Sequence, residues 1–242
     1  MEFTIKLAGK NIFVKSLYDE VYGLCRDYLT DAEPDMTVTV SEEDIAYERV
    51  RNAQEAQMEG IPVVEYPDAY LEMLAVYRKI AAGMLDYDTM LMHGAVVAVE
   101  DKAWLFTAPS GTGKTTHIRL WLDNIPGSYV INGDKPLIHV GEDVIAYGTP
   151  WAGKEGMNTN AGVRLCGIVF LERAQSNSME KISFSQALPG LVQQSFRPAD
   201  KESLECTLRL ISELGKRVPL YRLGCNMDPE AARVAYDALA GS

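Results

Sequence analysis

The chain has 242 residues, 47% of them hydrophobic and 24% charged, with 34 acidic against 23 basic residues and a net charge of −11. That length holds one large domain, or a full-sized domain carrying a smaller one, with a proper globular core. The acidic balance argues against nonspecific nucleic-acid binding, which needs cationic surface, and the longest apolar run, around Met90 to Val99, is interrupted by His93 and Gly94, short of the ~20 residues of a membrane span.

The start Met1-Glu2-Phe3-Thr4-Ile5-Lys6 has neither the basic opening nor the apolar stretch of a secretory signal. A cytoplasmic protein without a membrane partner is expected. Cys25, Cys166, Cys206 and Cys225 are far apart and form no Cys-x-x-Cys pair, so they read as core residues rather than zinc ligands or disulfides.

In chain order, Phe3 to Leu7 and Asn11 to Val14 flank the turn Ala8-Gly9-Lys10 and read as a hairpin. Ser16 to Asp19 opens a helix with Leu17, Val21, Leu24 and Tyr28 on one face. Met36 to Val40 alternates as a strand, and Ser41 to Asp44 caps a charged helix ending near Gly60. A short strand at Pro62 to Tyr66 and a helix from Asp68 to Leu85 close a small N-terminal α+β domain, residues 1–85.

In residues 86–242, Leu91 to Val99 reads as one strand. The short turn Glu100 to Lys102 makes it pair antiparallel with Ala103 to Thr107. A helix at Lys114 to Asp123 precedes Tyr129 to Asn132, Pro136 to Val140 and Val144 to Tyr147, read as a meander with no room for crossover helices. Val163 to Glu172 and Val218 to Leu223 are further strands, and Gln186 to Ser195, Lys201 to Gly215 and Pro229 to Leu239 are helices. The fold class is therefore α/β (α+β), with a mixed, hairpin-fed sheet and C-terminal helices.

The sharpest motif lies between the second strand of that hairpin and the helix after it. In Ala108-Pro109-Ser110-Gly111-Thr112-Gly113-Lys114-Thr115-Thr116, glycines let backbone N–H groups approach phosphates at a helix start. Lys114 would reach the β and γ phosphates, and the Thr115 hydroxyl would ligate Mg²⁺. Ser110, Gly111, Thr112, Gly113, Lys114, Thr115 and Thr116 are thus the candidate nucleotide-binding residues. Ala108 stands where the usual phosphate-loop motif has its first glycine.

Other candidates follow from residue type. Asp134, after a short strand, is the leading acid, as Mg²⁺ ligand or as base, and Asn132 is placed to hold a metal-bound water. His93 is a candidate proton relay, although a lone histidine in an apolar strand is commonly a hydrogen-bonded core residue. Gly148 to Gly156 reads as a loop over substrate, in which Lys154 faces a phosphate and Glu155 supplies a carboxylate. Arg164 and Arg197 are alternative phosphate clamps. His117 and His139 lack a second ligand at metal spacing and read as structural.

Leu105 to Thr116 resembles the first kinase motif of phosphoenolpyruvate carboxykinases, and His93-Gly94 resembles HPr serine kinases/phosphorylases, families that share a fold. The chain is similar to HPr kinase-like proteins through Phe106-Thr107-Ala108, Asn132-Gly133-Asp134-Lys135-Pro136-Leu137 and Gly148-Thr149-Pro150-Trp151. Gly167-Ile168-Val169-Phe170-Leu171-Glu172 and Val218-Pro219-Leu220-Tyr221-Arg222-Leu223 add to the match. The resemblance covers residues 90 to 235 and only loosely the first 85.

It implies an HPr kinase/PEP carboxykinase type of phosphate-loop fold in residues 86–242, ATP as donor, Mg²⁺, and a serine or threonine hydroxyl of a small protein or peptide as acceptor. It also implies His93 near the transferred phosphate and an Asp-Asp pair over Gly133-Asp134, of which only the second member is present. A small-molecule kinase and a nucleotide-binding regulator without catalysis are the alternative readings. The number of subunits, a homo-oligomer included, stays open.

Overall fold

The computed structural model describes residues 1–241. The chain divides into two compact units, Met1–Gly83 and Met84–Ser242.

In the first unit, β1 (Glu2–Leu7) and β2 (Lys10–Lys15) form an antiparallel hairpin across Ala8 and Gly9, both at positive φ. α1 (Glu20–Leu24) follows, and β3 (Met36–Thr39) then runs parallel to β2, giving the order β1-β2-β3. α2 (Glu42–Glu59) starts at a Ser41–Asp44 capping box and ends at Gly60 in the left-handed region, as the sequence predicts. α3 (Asp68–Gly83) packs on α1, α2 and β3.

Two expectations fail in this unit. No helix opens at Ser16, and Leu17 and Leu24 are exposed rather than sharing the buried face of Val21 and Tyr28. The Glu72 carboxylate on α3, fully buried, accepts hydrogen bonds from the backbone of Leu17 (2.5 Å) and Tyr18 (3.0 Å), which holds this segment in a bend ahead of α1. Pro62 to Tyr66 is not a strand. Its flanking prolines, Pro62 and Pro67, lack a donor, and Ile61, Val63 and Val64 each stay more than half exposed.

The second unit begins with a 3₁₀ turn, Met84–Tyr87. In chain order come β4 (Thr89–Leu91), β5 (Ala95–Val99), β6 (Lys102–Thr107), α4 (Lys114–Asn124), β7 (Ser128–Asn132), β8 (Leu137–Val140) and β9 (Val144–Tyr147). They are followed by β10 (Gly162–Arg173), β11 (Ser178–Lys181), α5 (Phe184–Gln194), α6 (Lys201–Arg217), β12 (Leu220–Cys225) and α7 (Glu230–Ala240). The sheet runs β4-β8-β9-β10-β6-β5-β7, with β12 pairing β10 and β11. It is mixed: β10 is parallel to β6 and β12, whereas β5 is antiparallel to both β6 and β7.

Both faces of the central strands are covered. Along β5, Val96 and Ala98 join Leu105, Ile168, Leu191, Leu210 and Leu214 in one core, while Ala95 and Val97 join Trp104, Phe106, Ile118, Trp121 and Ala235 in the other. Burial on both sides explains why β5 and β6 read as continuous apolar runs.

Three strand expectations are corrected. The run Leu91 to Val99 is two strands, broken at Met92 to Gly94. The expected meander does not form, because β7 pairs with β5, and β8 pairs with β4 and β9. β11, a short and mostly exposed strand, was not anticipated. The cysteines are all free, but only Cys25 is fully buried, and burial pushes its thiol up to about 12.

His117 sits in the α4 core, its ring against Phe106 and its Nε2 accepting from Trp121 Nε1 at 3.0 Å. Burial pushes its pKa from 6.5 down to about 4. The unfolded chain therefore binds this proton near pH 6.5 and the folded chain only near 4. Within that window the unfolded state holds more protons, so stability falls as pH falls. Between about pH 7 and pH 5 this group should remove roughly 2 kcal/mol. Urea unfolding of His117→Gln, which keeps an acceptor for Trp121 without titrating, should show a flatter loss than the parent.

Candidate functional site

Strand direction gathers the candidate residues. The C-terminal ends of β6, β7 and β10 and the N-terminal end of β5 meet at one end of the sheet. There Ser110, Gly111, Gly113, Lys114, Thr115 and Thr116 share a cavity of about 520 Å³ with His93, Gly133, Asp134, Lys154 and Glu155. Thr112 belongs to the same loop but is not among the residues lining the cavity.

The loop from Ala108 to Gly113 takes its shape from two glycines, Gly111 at φ +76° and Gly113 at φ +121°, conformations that side-chain-bearing residues rarely adopt. Gly113 is the N-cap of α4, so the first-turn amides of Lys114, Thr115 and Thr116 open toward the cavity. Lys114, buried, donates to the Ala108 carbonyl at 2.7 Å and is drawn back over the loop. Burial lowers its pKa, opposed by the charge of Asp134 and assisted by that of Lys135. Arg173, just beyond the β6 register at the end of β10, donates to the carbonyls of Gly111 (2.6 Å) and Thr112 (3.3 Å). With those carbonyls turned to Arg173, one side of the loop is strapped to the sheet.

The acid is held from behind. Asn132, fully buried, accepts from the backbone of Asp134 (2.9 Å) and Lys135 (2.6 Å) and donates to Thr149. Asn132 is thus a turn-former with its amide engaged, not the holder of a metal-bound water. Asp134 Oδ1 lies 3.3 Å from His93 Nε2, and Lys135 Nζ lies 3.8 Å from Oδ2. Burial pushes the Asp134 carboxyl up, but the hydrogen bond from His93 and the charges of Lys135, His93 and Lys114 outweigh it, and the net shift is downward. Asp134 is therefore a carboxylate at neutral pH.

His93 is not inside a strand. Its backbone N–H donates to the Gln194 carbonyl at 2.6 Å, its carbonyl accepts from the Thr107 hydroxyl, and its Nδ1 lies 2.7 Å from Gln194 Oε1. Gly94 allows this break, since a Cβ there would stand 2.6 Å from Leu105 Cδ1 and 2.9 Å from the Phe106 carbonyl.

The loop after β9 covers Gly133. A Cβ at Gly133 would meet the carbonyls of Ala152 at 3.0 Å and Met157 at 3.3 Å, and its N–H donates to Met157. Glu155 pairs with Arg119 of α4, and Lys154 lines the cavity. Arg164 is elsewhere. It pairs in register with Lys102, at the opposite end of β6 from the glycine loop, and lines a separate hollow with Glu142, Asp143 and Arg217. The expected role of Arg164 as a phosphate clamp at this site is therefore corrected, and Arg197, exposed, does not line the cavity either. His139 is held by Thr89 and the Tyr87 carbonyl, away from the site.

No family model and no curated protein matches the chain. Among solved structures, the chain is similar to the Hpr(Ser) kinase/phosphatase from Coxiella burnetii, at a TM-score of 0.39 and 9% identity, over 62% of this chain and 97% of that one.

Two residues of the site escaped sequence reasoning. Gln194 had a legible signal, a polar residue on the buried face that Ala187 and Leu191 define on α5. Arg173, at the polar end of an apolar strand, had none. Gly94→Ala should cost about 1–3 kcal/mol through the overlap with Leu105 and Phe106. Denaturant unfolding of the purified variant measures that loss, and an unchanged midpoint would contradict the close approach described here.

Proposed function

We propose that the chain is an ATP-dependent phosphotransferase of the HPr kinase type, moving the γ-phosphate to a serine or threonine hydroxyl of a small protein or peptide. The observation that supports this is one cavity lined by a glycine loop at a helix start, a lysine, a threonine hydroxyl and an ionised carboxylate backed by histidine. Phosphoryl transfer needs little covalent chemistry from the protein, only positioning and charge. The reading also draws on the motif resemblance set out above.

In this reading Ser110 to Thr116 is a phosphate loop whose amides and helix start cradle the triphosphate, with Lys114 released from the Ala108 carbonyl to the β and γ phosphates. The Thr115 hydroxyl and Asp134 carboxylate are the hard oxygen donors that would hold Mg²⁺. When bound, Mg²⁺ offsets the charge of the phosphates. Asp134 takes the proton of the acceptor hydroxyl, and Lys154 faces the transferred group. The unit Met1–Gly83 contributes to recognition of the acceptor.

A second reading, a nucleotide-binding regulator without transfer, is favoured by Gly133. The close approach of Ala152 and Met157 leaves little room there for the second acid that the resemblance implies.

Three outcomes are expected. ATP at 100 times its Kd should stabilise the parent by about 2.7 kcal/mol, and Lys114→Ala should remove that shift in thermal unfolding. Asp134→Asn should retain nucleotide binding while losing about 100-fold or more in transfer. Labelled ATP and Mg²⁺ in a lysate of the source organism, read by mass spectrometry, should yield a phosphorylated peptide or protein. Tight ATP binding with no labelled product supports the regulator, and a labelled metabolite supports a small-molecule kinase.

A further inference from the structure

We infer that the hollow at the far end of the sheet from the glycine loop, where Lys102, Arg164 and Arg217 meet Glu142 and Asp143, binds a small dipolar molecule. That ligand carries a phosphate or carboxylate group at one end and an ammonium at the other. The inference stands apart from the phosphotransferase reading, because no residue of this hollow lines the glycine-loop cavity.

Two of the cations are crowded together by the sheet itself. β10 runs parallel to β6 with Arg164 in register with Lys102, and neighbouring strands lie about 4.8 Å apart. Register partners project from the same face, so the two like charges meet there at a cost. No acid stands beside them in that row, since Arg164 is flanked on its other side by Ile145 and Lys102 by Val99. Both side chains are exposed, and among the described residues neither has a partner. Acids are not scarce in the chain, 34 against 23 basic residues, yet none neutralises this pair.

The rest of the hollow is built around that pair. Arg217, in the last turn of α6, donates to the Gly141 carbonyl and reaches Glu213 at 3.4 Å. Those bonds tie the end of α6 to the turn between β8 and β9, and that turn brings Glu142 and Asp143 into the hollow. Neither carboxylate has a partner among the described residues. Below them β10 bulges: Leu165 pairs with Ala103 and Gly167 with Trp104, which leaves Cys166 as the extra residue facing the hollow. Bulges re-aim side chains and recur beside sites. The space enclosed is about 380 Å³, the size of a small-molecule pocket.

Unpaired charges of both signs thus share one hollow, and that pattern selects the ligand. A phosphate or carboxylate satisfies Lys102 and Arg164 together, the guanidinium fork taking two oxygens and the ammonium one. A plain anion would be repelled by Glu142 and Asp143. An ammonium on the same molecule turns that repulsion into attraction.

The test titrates the full chain calorimetrically with phosphoethanolamine and with β-alanine, dipolar probes that differ in their anionic group. At least one should bind with a Kd of about 1 mM or tighter, and the tighter of the two names the anionic group. The matching probe without the ammonium, ethyl phosphate or propionate, should bind about tenfold or more weakly. Arg164→Gln and Lys102→Gln, both at exposed positions, should each weaken binding of the dipolar probe by a similar factor. Glu142→Gln combined with Asp143→Asn should remove the advantage of the ammonium, and Lys114→Ala, in the glycine loop, should bind as the parent does. The inference is overturned if neither dipolar probe binds, if the ammonium gives no advantage, or if that advantage survives the double variant. It is overturned equally by parent-like affinity in Arg164→Gln and Lys102→Gln, or by loss of binding in Lys114→Ala, which would place the probe at the glycine loop.

Discussion

The site depends on a break in one strand. Had Met90 to Val99 continued as a single strand, His93 would be a core residue facing an apolar layer. Instead the backbone leaves the sheet at Met92, exchanges hydrogen bonds with residues 134–136 and 194–196, and re-enters at Ala95. Glycine at position 94 is required because the Leu105 side chain and the Phe106 carbonyl occupy the space of a Cβ. Three segments distant in sequence thereby meet at one short stretch, and the acid, the imidazole and the amide are aligned by main-chain bonds, the least adaptable part of the molecule.

Much of this arrangement is legible in the sequence where its cause is local. The β1–β2 hairpin is set by Ala8-Gly9, the start of α2 by Ser41 and Asp44, and the β5–β6 hairpin by a turn too short for a crossover. The glycine loop lies between a strand and a helix as its pattern requires. What the sequence could not reveal has distant causes. The partner of β7 is β5 and not its neighbour β8, and its Ile131 and Val130 enter the two different cores. The segment at Leu17 and Tyr18 is a bend rather than a helix because a glutamate more than fifty residues later, Glu72, captures its amides.

The same distinction separates the candidate site residues. Ser110 to Thr116, His93, Asp134, Lys154 and Glu155 lie in short motifs at the ends of strands, and all but Thr112 line one cavity. Arg164 suits a phosphate by side-chain chemistry alone. Its place is fixed by the parallel register of β10 on β6, which puts it opposite Lys102 and away from the loop. Register is invisible until the pairing is known, so a residue's type on a long strand says little about which end of the sheet it serves.

The covering loop after β9 is fastened unequally. At its base, Gly133 bonds Met157, Thr159 bonds Ile131, and Asn132 and Asn158 both donate to the Thr149 carbonyl. At its tip, the Glu155 carboxylate meets Arg119 with both side chains largely in solvent, a contact worth about 1 kcal/mol or less that salt screens. Added salt therefore weakens the contact that fastens the tip to α4, while the hydrogen bonds at the base are left as they are.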